Sequence, residues 1–228
     1  MLRRRTAGVL LLTLALACGC ASDPDITGPL PDGGELVSAA AASFDTVRSV
    51  RFDFSVSGTI PGLDVREVKG QADRDGLASG QADVQQSTNR FELTFLVNGS
   101  TLYLTDKKGN RTQQPAPATY NPSLLLDPSR GLPRFLHNAT AVKTETKEDV
   151  NGIATYRVTG ELARDVVASF VPGIQSNVDV KFWVTQSEPR GLVRVWVQVP
   201  PSQPNVGAVM LELALSDVNA PVSATPAG

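Results

Sequence analysis

Few residue types in this sequence could perform chemistry: it has one histidine and two cysteines. The histidine, His137, stands beside Asn138 at the end of a predicted short helix. A catalytic imidazole needs a nucleophile or an orienting carboxylate, which would have to come from a distant part of the chain. His137 is therefore interpreted as a polar residue at a helix end, with a hydrolase that depends on His137 as the catalytic alternative.

Other motifs that support catalysis or metal binding are missing from the sequence. No His-x-x-x-His or Cys-x-x-Cys pair follows the first twenty residues, so no metal site is predicted. The serine in 76–80, Gly-Leu-Ala-Ser-Gly, comes one place too late for a nucleophile elbow. The carboxylates at 73–75 and 145–149 are interpreted as solvated charges at turns and strand edges. We therefore predict no catalytic residue, no metal and no cofactor.

The first twenty residues form the pattern of an export signal. Three arginines at 3–5 precede an apolar stretch at 9–16, which is shorter than the ~20 residues that a membrane-spanning helix needs. The stretch ends in Ala17-Cys18-Gly19-Cys20, which resembles a lipobox and implies a mature chain that begins with a lipid-bearing cysteine. Cys18 and Cys20 both fit, and Gly19 with the small polar start after Cys20 favours Cys20. An ordinary secretory signal with incidental cysteines is the alternative.

Composition then limits the remaining chain. The formal net charge is −2, so no basic field is present to attract nucleic acid or an anionic membrane surface. With Cys20 as the lipidated residue, no cysteine is left for a disulfide. We predict a signal peptide at 1–19, a flexible tether rich in Pro, Gly and Asp at 20–34, one domain at 35–219 and a disordered tail at 220–228.

The periodicity of apolar residues predicts an α+β domain. A helix is expected at 35–47 with Asp32 as its cap, and short helices near 121–137 and 163–171. Alternation with a period of two predicts about ten antiparallel strands, and 107–119 is expected to be a loop. The predicted strands lie near 51–57, 65–74, 77–86, 90–98, 101–106, 140–149, 153–162, 178–186, 190–199 and 207–217.

The predicted helices offer less apolar surface than the strands present. Either the sheet curls and seals on itself, or a hollow remains beneath the helices. Cavities cost about 24 cal/mol per Å³, so a rigid and dry hollow of the size of a ligand, ~1,000 Å³, would be strongly destabilising. A hollow of this kind should be collapsible or filled with lipid. A fully packed core is the alternative that periodicity alone leaves open.

Two motifs of the sequence are specific in combination: Ser-Gly-x-Ile-Pro-Gly-Leu at 57–63 is followed by Asn-Pro-x-x-x-Leu-Asp-Pro at 121–128. Further motif residues lie at 28–32, 50–70, 102–103, 120–122, 126–128, 131–132, 150–152 and 182–184. Together these residues resemble the LppX/LprA/LprF/LprG family of mycobacterial (actinobacterial) lipoproteins, and most nearly its LprG-like members. The resemblance extends from the lipobox to the final strands.

The resemblance implies a strongly bent antiparallel sheet, a half-barrel like LolA and LolB, with short helices on its concave face. It implies a hydrophobic cavity that binds a triacylated glycolipid or triacylglycerol and a non-enzymatic carrier that moves such lipids across the envelope. The carrier would be anchored by its N-terminal lipid on the outer face of the cytoplasmic membrane, with a membrane transporter as a further partner. The cavity walls implied by the motifs are Phe54, Val56, Ala82, Val84, Phe91, Leu93 and Phe95.

The sequence departs from the family pattern at two places. The 107–119 segment is more basic, with Lys107, Lys108 and Arg111, and Ala82 stands where a larger apolar residue is usual. The competing hypothesis is an envelope scaffold or partner-binding lipoprotein with a filled core. The two hypotheses differ in what a bulky residue at position 82 would do, because it would overpack a filled core but would only narrow a cavity.

Overall fold

The computed structural model describes residues 28–117, 121–201 and 207–224. The predicted signal peptide and both candidate lipidated cysteines, Cys18 and Cys20, lie outside the described residues. Among the residues that the structure describes, no helix has both the length and the apolar character to cross a membrane.

Within these described ranges, eleven antiparallel strands form one open sheet, in the order β6-β5-β4-β3-β2-β1-β11-β10-β9-β8-β7. The α+β prediction, with few short helices beside an antiparallel sheet, is confirmed. The strands are β1 (Ser49–Ser57), β2 (Val65–Asp73), β3 (Leu77–Gln86), β4 (Asn89–Asn98), β5 (Thr101–Asp106), β6 (Arg111–Pro115), β7 (Thr140–Val150), β8 (Ile153–Leu162), β9 (Val178–Thr185), β10 (Leu192–Val199) and β11 (Val209–Ser216).

In the part of the chain that the structure describes, three α-helices accompany the sheet: α1 (Gly33–Ser43), α2 (Leu132–Asn138) and α3 (Arg164–Ala168). The Asp32 side chain caps α1 by accepting a hydrogen bond from the Glu35 backbone N–H at 3.0 Å, as predicted. A 3₁₀ turn at Phe44–Thr46 follows α1, and a second 3₁₀ helix spans Pro122–Leu126.

Local turn chemistry determines where neighbouring strands meet. Asn151 and Gly152 both have positive φ, +53° and +83°, which is the signature of a type I′ hairpin between β7 and β8. Gly62 has φ +77°, and the Leu63 N–H donates to the Ile60 carbonyl at 3.1 Å, so a tight turn forms there. The first turn joins β7 to β8, and the second lies between β1 and β2, which both contribute cavity residues.

Two parts of the chain differ from expectation. The predicted loop at 107–119 contains β6, an exposed edge strand that pairs with β5. Its side chains are polar and exposed on both faces, so it has no apolar alternation to reveal it. Within the expected tail, residues 220–224 lie on the sheet: the Ala220 carbonyl accepts from Ser49 Oγ, and the Ser223 carbonyl accepts from Ser79 Oγ at 2.7 Å.

The helices cover the two halves of the sheet unequally. Helix α1 contacts β7, β8 and β9. Of the described helices, the Pro122–Leu126 3₁₀ helix alone makes substantial contact with β2 and β3. We call β8–β11 with the three helices the covered half, and β2–β5 the open half. The apolar side chains of β5 and several in β2–β4 are only half-buried, which leaves room beneath the 3₁₀ helix.

Candidate functional site: an apolar cavity over the open half

A cavity of about 350 Å³ lies against one face of the open half. Its wall is formed by neighbouring strands. One row of successive cross-strand partners in this wall crosses five of them and consists of Leu213, Phe54, Val68, Ala82 and Leu93. The lining residues are Phe52, Phe54, Leu63, Val65, Val68, Ala82, Val84, Gln86, Leu93, Phe95, Val97, Leu102, Leu104, Pro117, Asn121, Pro122, Leu125, Phe170, Val171 and Leu213.

Two glycines allow aromatic rings of the cavity wall to lie close to the sheet backbone. Phe52, Gly70, Gly80 and Phe95 form a second row of cross-strand partners. A Cβ atom on Gly70 would lie 3.1 Å from the Phe52 ring and 3.2 Å from the Phe95 ring. A Cβ atom on Gly80 would lie 2.9 Å from the Phe95 ring and 2.1 Å from the Lys69 carbonyl oxygen. The two rings can therefore lie against the sheet only because both positions lack a side chain.

The roof of the cavity comes from segments that are distant in sequence. Pro122 and Leu125 come from the 3₁₀ helix, where Asn121 Oδ1 caps the first turn by accepting from the Ser123 N–H at 3.1 Å. Phe170 and Val171 follow α3 and close the side toward the covered half. A smaller hollow of about 30 Å³ lies beyond them, and Phe54, Phe170, Val171 and Leu213 line both spaces.

The chemistry of the lining is almost wholly apolar. Among the described residues of the lining, Gln86 and Asn121 have side chains with polar groups and none is titratable. Gln86 and Pro117 are its exposed members within the described part of the chain, so they mark where the cavity meets solvent. An arrangement of this kind can exclude water from a hydrocarbon chain.

Five of the seven predicted wall residues line the cavity: Phe54, Ala82, Val84, Leu93 and Phe95. Val56 does not, because it is buried in the core beside Leu211, its partner in β11. Phe91 lies on the same face of β4 as Leu93 but remains 44% exposed at the strand end. That these residues contact a bound ligand stays a prediction.

Sequence reasoning missed several lining residues. Phe52, Val68 and Leu104 continue the same alternating rows, so the period of two could have identified them. Leu125 and Phe170 come from the roof, and no local pattern indicates which helix residue meets the sheet. His137 is exposed near the end of α2 and is not part of the lining, as expected for a polar residue at a helix end.

Comparison with known proteins identifies the family. A model of the LppX_LprAFG lipoproteins matches residues 32–224. The chain is 27% identical to the lipoarabinomannan carrier protein LprG of Mycobacteroides abscessus, over 94% of this chain and 92% of that protein. It is 29% identical to the protein of the same name from Mycobacterium tuberculosis, over 82% and 75%.

Solved structures show the same fold. LprF from Mycobacterium bovis has a TM-score of 0.73 at 23% identity, covering 89% of this chain and all of that one. LppX from Mycobacterium tuberculosis has a TM-score of 0.64 at 18% identity, covering 84% and 97%. The family match spans the cavity and both halves of the sheet, and on this evidence the chain belongs to the LppX_LprAFG family of lipoproteins.

Proposed function

We propose that this protein binds multi-acyl lipids, triacylated glycolipids or triacylglycerol, in the cavity over the open half and carries them across the cell envelope without catalysing a reaction. The observation that carries the proposal is the cavity itself: about 350 Å³ of apolar space between a sheet and an incomplete layer of helices. The names of the LprG relatives, which describe carriers of a glycolipid, support the glycolipid as cargo.

Burial of hydrocarbon supplies the affinity. Each methylene group removed from water contributes about 0.8 kcal/mol, so a dozen buried methylenes contribute roughly 10 kcal/mol before the costs of binding. The lining presents the aromatic rings of Phe52, Phe54 and Phe95, and none of its described residues has a charged side chain to oppose this. Acyl chains would lie inside, and the polar headgroup would stay near Gln86 and Pro117.

The size of the cavity indicates that it expands on loading. A volume of about 350 Å³ is at the lower end of the range for ligand pockets, about 300–1,000 Å³. Several acyl chains need more space than this. The roof is the part that can give way, because it consists of the short 3₁₀ helix and the segment around Phe170. A collapsible cavity also avoids the cost of a large, empty hollow.

We further propose how the carrier is held in place. A signal peptide at 1–19, a lipid on Cys20 and a tether that ends before Asp32, the cap of α1, would anchor the domain to the outer face of the cytoplasmic membrane. The lipid anchor would leave the cavity free for cargo. A membrane transporter is the class of protein partner that would supply or accept this cargo. Within the described part of the tether, the Pro31 carbonyl accepts from Thr144 Oγ at 2.7 Å on the edge strand β7.

The experiment compares two alanines on the same face of β3. Ala82 lines the cavity, whereas Ala78 is fully buried and does not. Ala82→Leu should lower the amount of acyl chain that co-purifies with the full chain and change its unfolding free energy little. Ala78→Leu, the matched control, should overpack the core and cost about 1–3 kcal/mol.

The readouts are fatty acids per protein after extraction, measured by gas chromatography, and unfolding in urea. A wild-type chain without acyl chains from a lipid-rich host would contradict the proposal. If Ala82→Leu instead destabilised the protein as much as Ala78→Leu, the filled-core scaffold would be the better account.

A further inference from the structure

The strands that form the cavity wall carry a second, polar hollow on their opposite face. Side chains alternate along β3 and β4, so Ala82, Val84 and Leu93 face the cavity while Asp83 and Glu92 face away from it. A space of about 450 Å³ lies over these outward side chains. We call it the outer hollow, and its principal polar residues are Lys69, Asp83, Arg90, Glu92, Thr94 and Lys107.

Asp83 is the unusual residue of the outer hollow. It is only 8% exposed, and its Oδ2 accepts from Arg90 Nε at 2.6 Å. Its Oδ1 is buried and has no hydrogen-bond donor among the described residues. A buried carboxylate oxygen without a donor is costly, and native structures usually satisfy it with a protein group, a water or a ligand.

The charge of this carboxylate is maintained at neutral pH. The hydrogen bond from the Arg90 guanidinium holds the pKa of Asp83 below its ordinary value, so the side chain is an ionised acceptor. The Arg90 side chain is itself 69% exposed, which allows it to shift and admit a ligand to Asp83. The outer hollow thus contains a strong acceptor that can take another donor.

The other groups of the outer hollow can both donate and accept. Lys107 pairs with Glu92 at 2.9 Å, and Lys69 pairs with Glu67 at 2.6 Å. Exposed pairs of this kind contribute about 0–1 kcal/mol, so a ligand can separate them at little cost. A polyhydroxylated ligand matches this mixture, because each hydroxyl both donates and accepts. An anionic ligand would meet the carboxylates of Asp83, Glu67 and Glu92.

The outer hollow lies next to the mouth of the cavity. Gln86, an exposed lining residue, is at the end of β3, and its neighbour Gln85 is the cross-strand partner of Arg90. A chain that leaves the cavity at Gln86 therefore needs to turn only around the ends of β3 and β4 to reach Asp83. The inner face of these strands would hold hydrocarbon, and their outer face would be within reach of the headgroup.

We propose that the outer hollow is a binding site for a neutral sugar chain, with Asp83 as its main hydrogen-bond acceptor. The inference rests on the proposed function for the presence of a glycolipid, and it assigns the sugar part of that cargo a place on the outer face. The site itself needs no acyl chain, so it can be tested separately with free oligosaccharides.

The test measures binding of free mannose, arabinose and glucose oligosaccharides to the full chain in lipid nanodiscs, by calorimetry. Asp83→Asn removes the ionised acceptor, and Arg90→Gln removes the guanidinium but keeps an amide donor at this exposed position. Asp217→Asn is the matched control, because Asp217 also pairs with an arginine, Arg51, at 2.7 Å but lies outside the outer hollow. Acyl chains that co-purify with each variant are measured in parallel.

The expected result is binding of at least one oligosaccharide, weakened at least tenfold by Asp83→Asn and by Arg90→Gln, and unchanged by Asp217→Asn. Failure of every oligosaccharide to bind at millimolar concentration, or binding that neither variant weakens, would overturn the inference. If acyl chains still co-purify in that case, the proposed function stands. If they do not co-purify while sugars bind, the proposed function fails and the sugar site remains. Should Asp83→Asn fail to fold, the Arg90→Gln result decides.

Discussion

The two halves of the sheet have similar sequence patterns and different surroundings. In the covered half, alternating residues such as Val158, Val180, Phe182 and Val184 are at most 1% exposed beneath the helices. In the open half, Val68, Leu93 and Leu104 alternate in the same way but are only partly buried and face a cavity. The difference shows that amphipathic strands provide an apolar face, whereas the helices decide whether that face becomes core or binding site.

The largest expected effect contrasts one residue from each half. Phe182→Ala should lower the unfolding free energy by about 3–5 kcal/mol, because it leaves a hole in packed core. Leu93→Ala should cost less than about 1.5 kcal/mol in the delipidated chain, since Leu93 already faces empty space. Unfolding of both variants in urea checks the contrast. Equal losses would mean that the open half is packed as tightly as the covered half.

A second prediction concerns the wall of the cavity. Gly80→Ala should cost about 1–3 kcal/mol, because its Cβ would meet the Lys69 carbonyl and the Phe95 ring. Gly191→Ala is the control, since the nearest atom to its Cβ is 3.6 Å away and nothing needs to move. Thermal unfolding of the two variants measures the difference. A neutral Gly80→Ala would show that the close approach of ring and sheet is not needed.

A third, smaller effect concerns the boundary between the halves. Phe170 separates the cavity from the 30 Å³ hollow, so Phe170→Ala should join them and allow longer acyl chains to bind. Each additional buried methylene contributes about 0.8 kcal/mol, or roughly fourfold in affinity. The chain lengths of co-purified fatty acids provide the measurement. An unchanged length distribution would place the end of the bound chain elsewhere.

The smallest effect is electrostatic and belongs to the outer face of the open half. The pKa of the Asp83 carboxyl is lower in the folded state than in the unfolded state. The ionised carboxylate therefore stabilises the folded protein above its unfolded pKa, and this contribution is lost as the pH falls through its folded-state pKa. The stability difference between wild type and Asp83→Asn should therefore shrink below about pH 4, the ordinary range of Asp. Urea unfolding at pH 7 and pH 3 tests this, and a difference that grows on acidification would contradict it.

Local signals predicted most of the fold. Alternation along the chain is a local feature, and the strand predicted near 153–162 matches β8 at Ile153–Leu162. An Asn-Gly pair such as 151–152 favours a hairpin turn for an equally local reason. The edge strand β6 was missed because its pairing depends on β5 and not on its own polar residues. The contacts of 220–224 with Ser49 and Ser79 join positions far apart in the chain, which no local pattern indicates.

The candidate site was predicted less completely, for a related reason. Phe54 and Val56 lie on the same face of β1, and periodicity treats them alike, yet only Phe54 lines the cavity. Phe91 has the right face but lies at an exposed strand end. Which residues of an apolar face stay uncovered depends on where Leu125 and Phe170 come to rest, and this is set by long-range packing.

The most direct test of the central claim is to locate a bound acyl chain. Cells that express the full chain would be fed a fatty acid with a photoactivatable diazirine, irradiated, and the labelled residues mapped by mass spectrometry. We expect labels on the cavity-facing residues of β1–β5, on Leu213, on the Pro122–Leu126 segment and on Phe170, and none on the buried face of β8–β10. Labels on the buried face of β8–β10, or none in the open half, would contradict the assignment of the open half as the lipid site.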